Sequence, residues 1–511
     1  MKIVDKLIFK HDDVIGSLDA ETDSFLNECF FASSVYNTLI NFNDSEQSFY
    51  KRVILGRTGS GKTALLKQIK TDEVIKRHDV IEAEATVFEH ISNDVFLSKL
   101  IEEGVDLRVF YKSLWLHVLI VRIIDVIFTQ KESFFEKLRA ISDRKQWALA
   151  KDYVECFRDS FFEEKIIAEI TKKVENGVGA ALNNKNLGEI KGRKTTEHKE
   201  RLQTETSRFV SSQLIAKQKN LINFLKNESS IQKRAVISID DLDKSWLSSN
   251  SIRYDFINSL LEAFRELLDI SYIKVLISVR TDILKGIYKN SLRQEEKDKS
   301  LIIPIEWKKS EIVEILNKRI NSLIKRKYES SRSVGFYDIF NFCINGVVSG
   351  DYILERTMMR PRDAIDFVNI CLAECDGVNE INHNIVMVAE RKFYHSRKMA
   401  LIDEWKTLYE NVKSYVDVIE LLEEKTFTIK KLKEEKEQDI LEYLIEETKA
   451  DSPFHDEIIS NIAKLVELWF EIGLIGILVQ DTGIYCSYEK PVLDISDKNE
   501  VFIIHPLFYR K

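Results

Sequence analysis

Residues 56–63, GRTGSGKT, decide the fold class of this chain. The three glycines of this stretch let the backbone wrap around oxyanions in conformations that a Cβ atom would obstruct, so that several N–H groups meet one anion. Lys62 is expected to reach the β- and γ-phosphates of a nucleotide, and Thr63 is expected to bind Mg²⁺. The predicted phosphate-binding residues of this P-loop are Gly56, Arg57, Thr58, Gly59, Ser60, Gly61, Lys62, Thr63 and Ala64.

The segments on either side of the P-loop have the pattern that this motif requires. Residues 52–55 form a short apolar run that predicts a β-strand, and residues 64–70 have helical spacing. The alternation of residues 79–87 predicts a second strand. A loop between a strand and a helix places phosphate at the helix N-terminus, where N–H groups and the helix dipole favour an anion. ATP with Mg²⁺ is therefore the predicted ligand, although no segment identifies the base.

A second motif, RAVISIDDLDKSW at residues 234–246, is an apolar strand that ends in a carboxylate. This is the Walker B arrangement, in which Asp240 is predicted to hold Mg²⁺ through its water shell. Asp241 follows directly and is predicted to act as the general base that activates the attacking water. The alternative for Asp241 and Asp243 is a loop of solvated carboxylates that cap the next helix.

Two arginines are candidates for contact with the γ-phosphate. Arg280 follows a predicted strand at residues 272–279, and it either senses the γ-phosphate of its own or a neighbouring subunit's nucleotide or forms an ion pair with the carboxylate cluster at residues 240–243. Arg362 lies in the PRD segment at residues 361–363, where a proline starts a helix, and is predicted to act from a lid helix. Arg293, on a charged segment, is a candidate for action on a neighbouring subunit. The predicted catalytic residues are Lys62, Asp241, Arg280 and Arg362.

The composition favours a mainly helical protein of several domains. The chain has 511 residues, of which 44% are hydrophobic and 31% charged, with only 5 prolines and 17 glycines. So few turn-forming residues disfavour β-sandwiches and β-barrels. The net charge of −8 gives no overall attraction to nucleic acid. The most apolar stretch, residues 114–128, is shorter than a bilayer requires and contains charged residues, so it predicts a buried helix.

Strands and helices alternate around the two motifs, which predicts a parallel sheet, and the rest of the chain is mostly helical in pattern. Residues 94–227 are rich in Lys and Glu and predict a helical insertion. Helical patterns continue through residues 310–385 and through a charged region at residues 386–450. Residues 455–470 predict one helix, which GLIGILV and two alternating stretches follow. Helices followed by a hairpin are typical of a winged helix.

With these residues in place, the chain resembles bacterial FunZ-like P-loop ATPases, which look related to the KAP and STAND groups within the additional-strand, catalytic-glutamate division of P-loop proteins. The matching segments are DAETD (19–23), GRTGSGKTALL (56–66), DDLD (240–243), SVRTDIL (278–284), PRD (361–363) and IHPLF (504–508). The resemblance implies a sheet of strand order 5-1-4-3-2, with the P-loop strand between the fourth and fifth strands, then a helical lid and a winged-helix end. Because Asp241 stands where many relatives have glutamate, it also implies slow hydrolysis.

The predicted fold class is α/β: a P-loop NTPase core with a parallel sheet, a large helical insertion, a helical lid and a winged-helix-like C-terminal domain. The predicted domains are a helical lead-in at 1–50, the core at 51–93 and 228–309, the insertion at 94–227, the lid at 310–385, and a helical linker with the winged-helix-like domain at 386–511.

The predicted function is a slow, Mg²⁺-dependent regulatory ATPase that changes conformation or assembly with its nucleotide. The resemblance implies a role in bacterial antiphage defence with a separate effector protein, and a homo-oligomer is expected. Two alternatives stay open: an ATP-controlled winged-helix protein that binds DNA, and a nucleotide-binding scaffold with negligible hydrolysis. Because the N-terminal residues lack an apolar segment, we expect a cytoplasmic protein with no membrane partner.

Overall fold

In the computed structural model the chain divides into two compact units. The sheet unit consists of Ser33–Leu55 and Leu65–Ile303, and the P-loop unit consists of Met1–Ala32, Gly56–Ala64 and Pro304–Lys511. The P-loop therefore belongs to the same unit as the C-terminal part of the chain. The structure describes residues 8–75, 77–82, 94–128, 130–141, 145–182, 193–227, 233–240, 242, 250–290, 295–329, 332–448, 453–480, 482–487, 490, 493 and 500–509.

The sheet unit is built on a five-stranded parallel sheet of order β2-β3-β4-β1-β5. This is the predicted order 5-1-4-3-2 read from the other edge, so that prediction is confirmed. The interior of β3 is buried throughout, because helices cover both faces of a parallel sheet and its strands become continuous apolar runs. The strands are β1 (Val53–Gly56), β2 (His78–Glu82), β3 (Ala235–Asp240), β4 (Ile273–Arg280) and β5 (Ile302–Pro304).

The described part of the predicted insertion is helical. Its helix Arg108–Ile127 packs against the helix Asn250–Arg265, and the Trp115 indole N–H donates to the Phe256 carbonyl at 3.2 Å. This confirms the predicted buried helix at residues 114–128. The other described helical segments between residues 34 and 298 are Ser34–Ile40, Gln47–Tyr50, Lys62–Lys70, Val95–Glu102, Lys131–Ile141, Lys145–Trp147, Ala148–Cys156, Ile166–Leu182, Arg193–Val210, Ser211–Ile215, Ala216–Asn227, Thr281–Asn290 and Glu295–Asp298.

No single helix among the described residues has both the length and the apolar composition to cross a membrane; only the bent pair Arg108–Ile127 and Lys131–Ala140 passes together, on length and composition.

The P-loop unit is mainly helical and has one continuous core. Phe367 and Phe393 stack in this core with ring centroids 4.6 Å apart, which joins the helices Pro361–Ala373 and His383–Trp405. The start of the first of these helices at Pro361 was predicted and is confirmed. Its other helical segments are Leu26–Cys29, Lys309–Tyr328, Phe336–Ile339, Ser349–Leu354, Val412–Asp417, Val418–Leu421, Ile429–Glu435, Glu437–Glu447, Pro453–Ser460 and Ala463–Ile472.

Two small antiparallel sheets complete the P-loop unit. One pairs β6 with β7, and the other has the order β10-β9-β11-β8. Phe427 of β8 lies opposite Phe502 of β11, so residues far apart in sequence form this sheet. The strands are β6 (Cys343–Ile344), β7 (Val347–Val348), β8 (Thr426–Thr428), β9 (Ile475–Val479), β10 (Thr482–Ile484) and β11 (Val501–Ile504).

Two predictions for this C-terminal region are wrong in detail. The single helix expected at residues 455–470 is two helices, because Asn461 interrupts it and its side-chain oxygen accepts from the Ala463 N–H at 3.2 Å. The region 386–450, expected to be helical throughout, contains the strand β8. The winged-helix assignment itself stays a prediction.

Candidate nucleotide-binding site

Each of the three P-loop glycines occupies a position that disfavours a side chain, two because of their backbone conformation and one because of a close contact. Gly59 has φ +81° and Gly61 has φ +96°, in the left-handed region that favours glycine. A Cβ on Gly56 would lie 2.3 Å from the Ser60 hydroxyl oxygen, which is closer than real Cβ atoms approach. The loop is thus shaped as a backbone cradle, and it meets the first requirement for binding phosphate.

The cation and the helix that the motif requires are both in place. The Lys62 ammonium donates to the carbonyl oxygens of Gly56 at 3.0 Å and Arg57 at 3.1 Å, so it lies against the backbone of the loop. Thr63 and Ala64 are in the first turn of the helix Lys62–Lys70, where N–H groups have no acceptor within the helix. Together these groups fit the phosphates of a nucleotide.

Glu404, on the helix His383–Trp405, holds the beginning of the P-loop. Its carboxylate accepts from the Thr58 N–H at 3.1 Å and from the Arg57 guanidinium at 3.0 Å. Arg360 donates to the Thr58 carbonyl at 2.9 Å and lies 3.4 Å from the same carboxylate. Burial would raise the pKa of Glu404, but Arg57 and Arg360 outweigh it and lower this pKa to about 2. Glu404 therefore stays charged, and both backbone polar groups of Thr58 are bound by side chains from outside the loop.

Arg360 also belongs to a buried network in which positively and negatively charged side chains alternate. Arg360 pairs with Asp363 at 2.9 Å, and Asp363 pairs in turn with Arg397 at 2.9 Å. Although burial disfavours the charged guanidinium, Asp363 and Glu404 raise the pKa of Arg360 above its ordinary value. Because each buried charge has an oppositely charged neighbour, the network can be stable away from water.

Arg362, the predicted lid arginine, lies beside the P-loop through its backbone and its Cβ. Its N–H is 3.4 Å from the Gly59 carbonyl, and its Cβ is 3.0 Å from the position that a Cβ on Gly59 would take. Its guanidinium donates to the Leu18 carbonyl at 2.9 Å, and burial lowers its pKa. The Trp307 indole N–H makes a further contact, donating to the Ser60 carbonyl at 2.8 Å.

In the sheet unit, two predicted site residues end neighbouring parallel strands. Asp240 is the last residue of β3 and Arg280 the last of β4, so both lie at the carboxyl edge, where such sheets bind ligands. The Arg280 guanidinium binds the Asp282 carboxylate through two hydrogen bonds of 2.9 and 2.8 Å. The alternative for Arg280, an ion pair with the carboxylate cluster at residues 240–243, stays a prediction. Asp241, Asp243 and Arg293 lie outside the described residues.

Sequence reasoning missed Glu404, Arg360 and Trp307. A signal for Glu404 exists, because it shares a helical face with Leu401 and Trp405, which are almost fully buried. A carboxylate in such an apolar stripe predicts a buried partner. Arg360 flanks Pro361 just as Arg362 does, and no local pattern distinguishes the two arginines.

Two sequence families match the chain. The KAP family P-loop domain matches residues 31–303, more than half of the chain. The FunZ-associated C-terminal helical domain matches residues 310–402. A search of curated proteins found no match. The two family matches confirm the resemblance inferred from the P-loop, the Walker B segment and the PRD segment.

Proposed function

The chain belongs to the KAP family of P-loop NTPases, and we propose that it is a slow, Mg²⁺-dependent ATPase that controls its own conformation or assembly. The observation that carries the proposal is the P-loop, whose left-handed glycines Gly59 and Gly61 precede Lys62 at the start of a helix. These are the parts that bind the phosphates of a nucleotide in this class of protein.

Each residue of the proposed site has a chemical role. Thr63 and Asp240 offer the hydroxyl and carboxylate oxygens that suit Mg²⁺, which when bound would neutralise charge on the β- and γ-phosphates. Lys62 binds the same phosphates through its ammonium group. Asp241 accepts the proton of the attacking water. Arg362 stabilises charge on the γ-phosphate, a role for which guanidinium geometry is suited.

Binding and phosphate release measured on the same variants test this proposal. Lys62→Ala should abolish Mg²⁺-ATP binding, because it removes the cation that is proposed to bind the phosphates. Asp241→Asn should keep binding and lower phosphate release by about 10²-fold or more, as expected for loss of a general base. Lys70→Ala, at the exposed end of the same helix, is the matched control and should change neither.

The outcomes separate the enzyme from the scaffold. A wild type that binds Mg²⁺-ATP without releasing phosphate would favour the nucleotide-binding scaffold. Equal turnover by the wild type and Asp241→Asn would remove Asp241 as the base. A wild type that binds no nucleotide contradicts the proposal as a whole.

The proposed biological role is a switch in bacterial antiphage defence, acting as a homo-oligomer on an effector protein in the cytoplasm. It is supported by the likeness to FunZ-like proteins, an analogy of family rather than of site. Molar mass measured with ATP, with ADP and without nucleotide checks the assembly, and a mass that never changes argues against control of assembly.

For the C-terminal region we propose a contact with protein rather than DNA. Residues 455–470 contain Asp456, Glu457 and Glu467 against Lys464, and Lys464 forms an ion pair with Glu467 at 2.8 Å. Such a segment offers little attraction to phosphate. Titration with duplex DNA at several salt concentrations is the test, since strong salt-dependent binding would favour the DNA alternative.

A further inference from the structure

We infer that Glu404 and Arg360 are positioning residues for nucleotide binding: by fixing the backbone of Thr58 they orient the N–H groups of the P-loop. This inference rests on the proposed function and assigns part of the nucleotide affinity to Glu404, which lies outside both family matches.

Hydrogen bonds to two carbonyl groups of the P-loop set the directions of the N–H groups that follow them. In a trans peptide the carbonyl of one residue and the N–H of the next point in opposite directions. Because the Thr58 carbonyl accepts from Arg360 at 2.9 Å, the N–H of Gly59 points away from Arg360. Because the Ser60 carbonyl accepts from Trp307 at 2.8 Å, the N–H of Gly61 points away from Trp307. Two donors from outside the loop thus fix the directions of two predicted phosphate-binding N–H groups.

Glu404 balances the charges of two arginines beside the loop. The exposed fraction of the side chain is 2% for Glu404, 8% for Arg360 and 22% for Arg57. Two guanidinium groups this close need a shared anion, and Glu404 supplies it while it also accepts the Thr58 N–H. A neutral amide at position 404 would turn an NH₂ group toward donors, since an amide has one acceptor oxygen where a carboxylate has two. Arg360 would then lose a partner that holds it at the Thr58 carbonyl.

The same contacts link nucleotide binding to the helix that carries Glu404. If contacts from the helix His383–Trp405 hold the loop in its binding shape, bound nucleotide must stabilise those contacts by the same free energy. Glu404 then couples the C-terminal part of the P-loop unit to nucleotide occupancy.

The experiment compares full-length Glu404→Gln with Asp403→Asn, which removes an exposed carboxylate from the adjacent position of the same helix. Two quantities are measured: the Kd for Mg²⁺-ATP by calorimetry, and amide hydrogen exchange of residues 57–61 without nucleotide. We expect Glu404→Gln to raise Kd at least about tenfold and to speed exchange of the loop, because a charge-assisted hydrogen bond is lost. Glu404→Asp should recover part of the affinity, and Asp403→Asn should behave as the wild type.

A folded Glu404→Gln variant with wild-type Kd and wild-type exchange would overturn the inference. If that variant does not fold, Arg360→Lys decides, since it keeps a charge beside Glu404 and Asp363 but loses the planar guanidinium that binds Thr58; an unchanged Kd and unchanged exchange then count against positioning. If the wild type binds no nucleotide, the proposed function fails instead. The exchange measurement on the nucleotide-free loop still decides whether Glu404 orders it.

Discussion

At Gly59 both the backbone conformation and a close neighbouring side chain disfavour a Cβ. The residue has φ +81°, and the Arg362 Cβ lies 3.0 Å from where its own Cβ would be. Gly377 provides a comparison, since it has φ +75° with nothing within 4 Å of a Cβ. Alanine substitutions at the two glycines therefore separate the free-energy cost of the left-handed conformation from the cost of contact with the PRD segment.

We expect Gly377→Ala to lower the free energy of unfolding by about 1–2 kcal/mol, the cost of a left-handed residue, and to leave ATP binding unchanged. Gly59→Ala should cost more, because Arg362 must move, and should weaken ATP binding at least about tenfold. Urea unfolding and ATP titration of both variants check this. Equal losses of stability would show that the contact with Arg362 is easily relieved.

A double-mutant cycle on Arg280 and Asp282 tests whether their ion pair stabilises the sheet unit. Asp282 is 2% exposed in its side chain, so Arg280→Ala should cost about 3–5 kcal/mol by leaving a buried carboxylate without this cation. Arg280→Ala with Asp282→Ala should be less destabilised than the sum of the single variants. Unfolding free energies that simply add, together with lost phosphate release, would instead favour a role for Arg280 at the nucleotide.

At the scale of helices and strands, the local sequence pattern predicted those elements whose own residues form an apolar run or include a proline that starts a helix. β1, β3, β4 and β5 are apolar runs bounded by polar residues, and the PRD helix begins at its proline. β8 has three residues and exists because β11 pairs with it, so its partner, rather than its own sequence, defines it. The bond between Glu404 and Thr58 joins residues 346 apart, and no periodicity reports such a contact. The local sequence pattern therefore did not predict contacts between residues that lie far apart in the chain.

A lysine near the start of β4 lies against the C-terminal end of the helix Ser34–Ile40. Lys274 is fully buried, and its ammonium donates to the carbonyls of Thr38 at 3.2 Å and Leu39 at 3.1 Å. Carbonyl groups at a helix C-terminus favour a cation. Burial and the nearby Arg52 nevertheless lower the pKa of Lys274 to about 7.

This lowered pKa predicts a pH-dependent stability. Between pH 7 and about 10.5, the usual lysine value, the unfolded chain holds a proton at Lys274 that the folded chain has released, so stability rises with pH. Relative to Lys274→Met, the wild type should gain up to about 1.4 kcal/mol per pH unit across this window and show no such trend below pH 7. Urea unfolding at several pH values measures the difference, with the exposed Lys51→Met as the control. A difference that does not vary with pH would contradict the prediction.

At the scale of the whole chain, the family match and the packing divide the sequence differently. The KAP match spans residues 31–303, whereas residues 56–64 of that span pack in one unit with Pro304–Lys511. The P-loop therefore packs with the C-terminal part of the chain. A ligand that tightens the loop should act first on the helices of that unit.

This division predicts where ATP protects the chain from hydrogen exchange. A ligand at 100 times its Kd stabilises the folded state by about 2.7 kcal/mol, and regions that open only when the loop is released should gain most of that protection. We expect slower exchange in the helices Pro361–Ala373 and His383–Trp405 than without ATP, and little change in the insertion helix Ala216–Asn227. Lys62→Ala with ATP is the control and should resemble the free wild type. Equal protection of the insertion helix would mean that nucleotide stabilises the chain globally, and that the P-loop unit does not respond on its own.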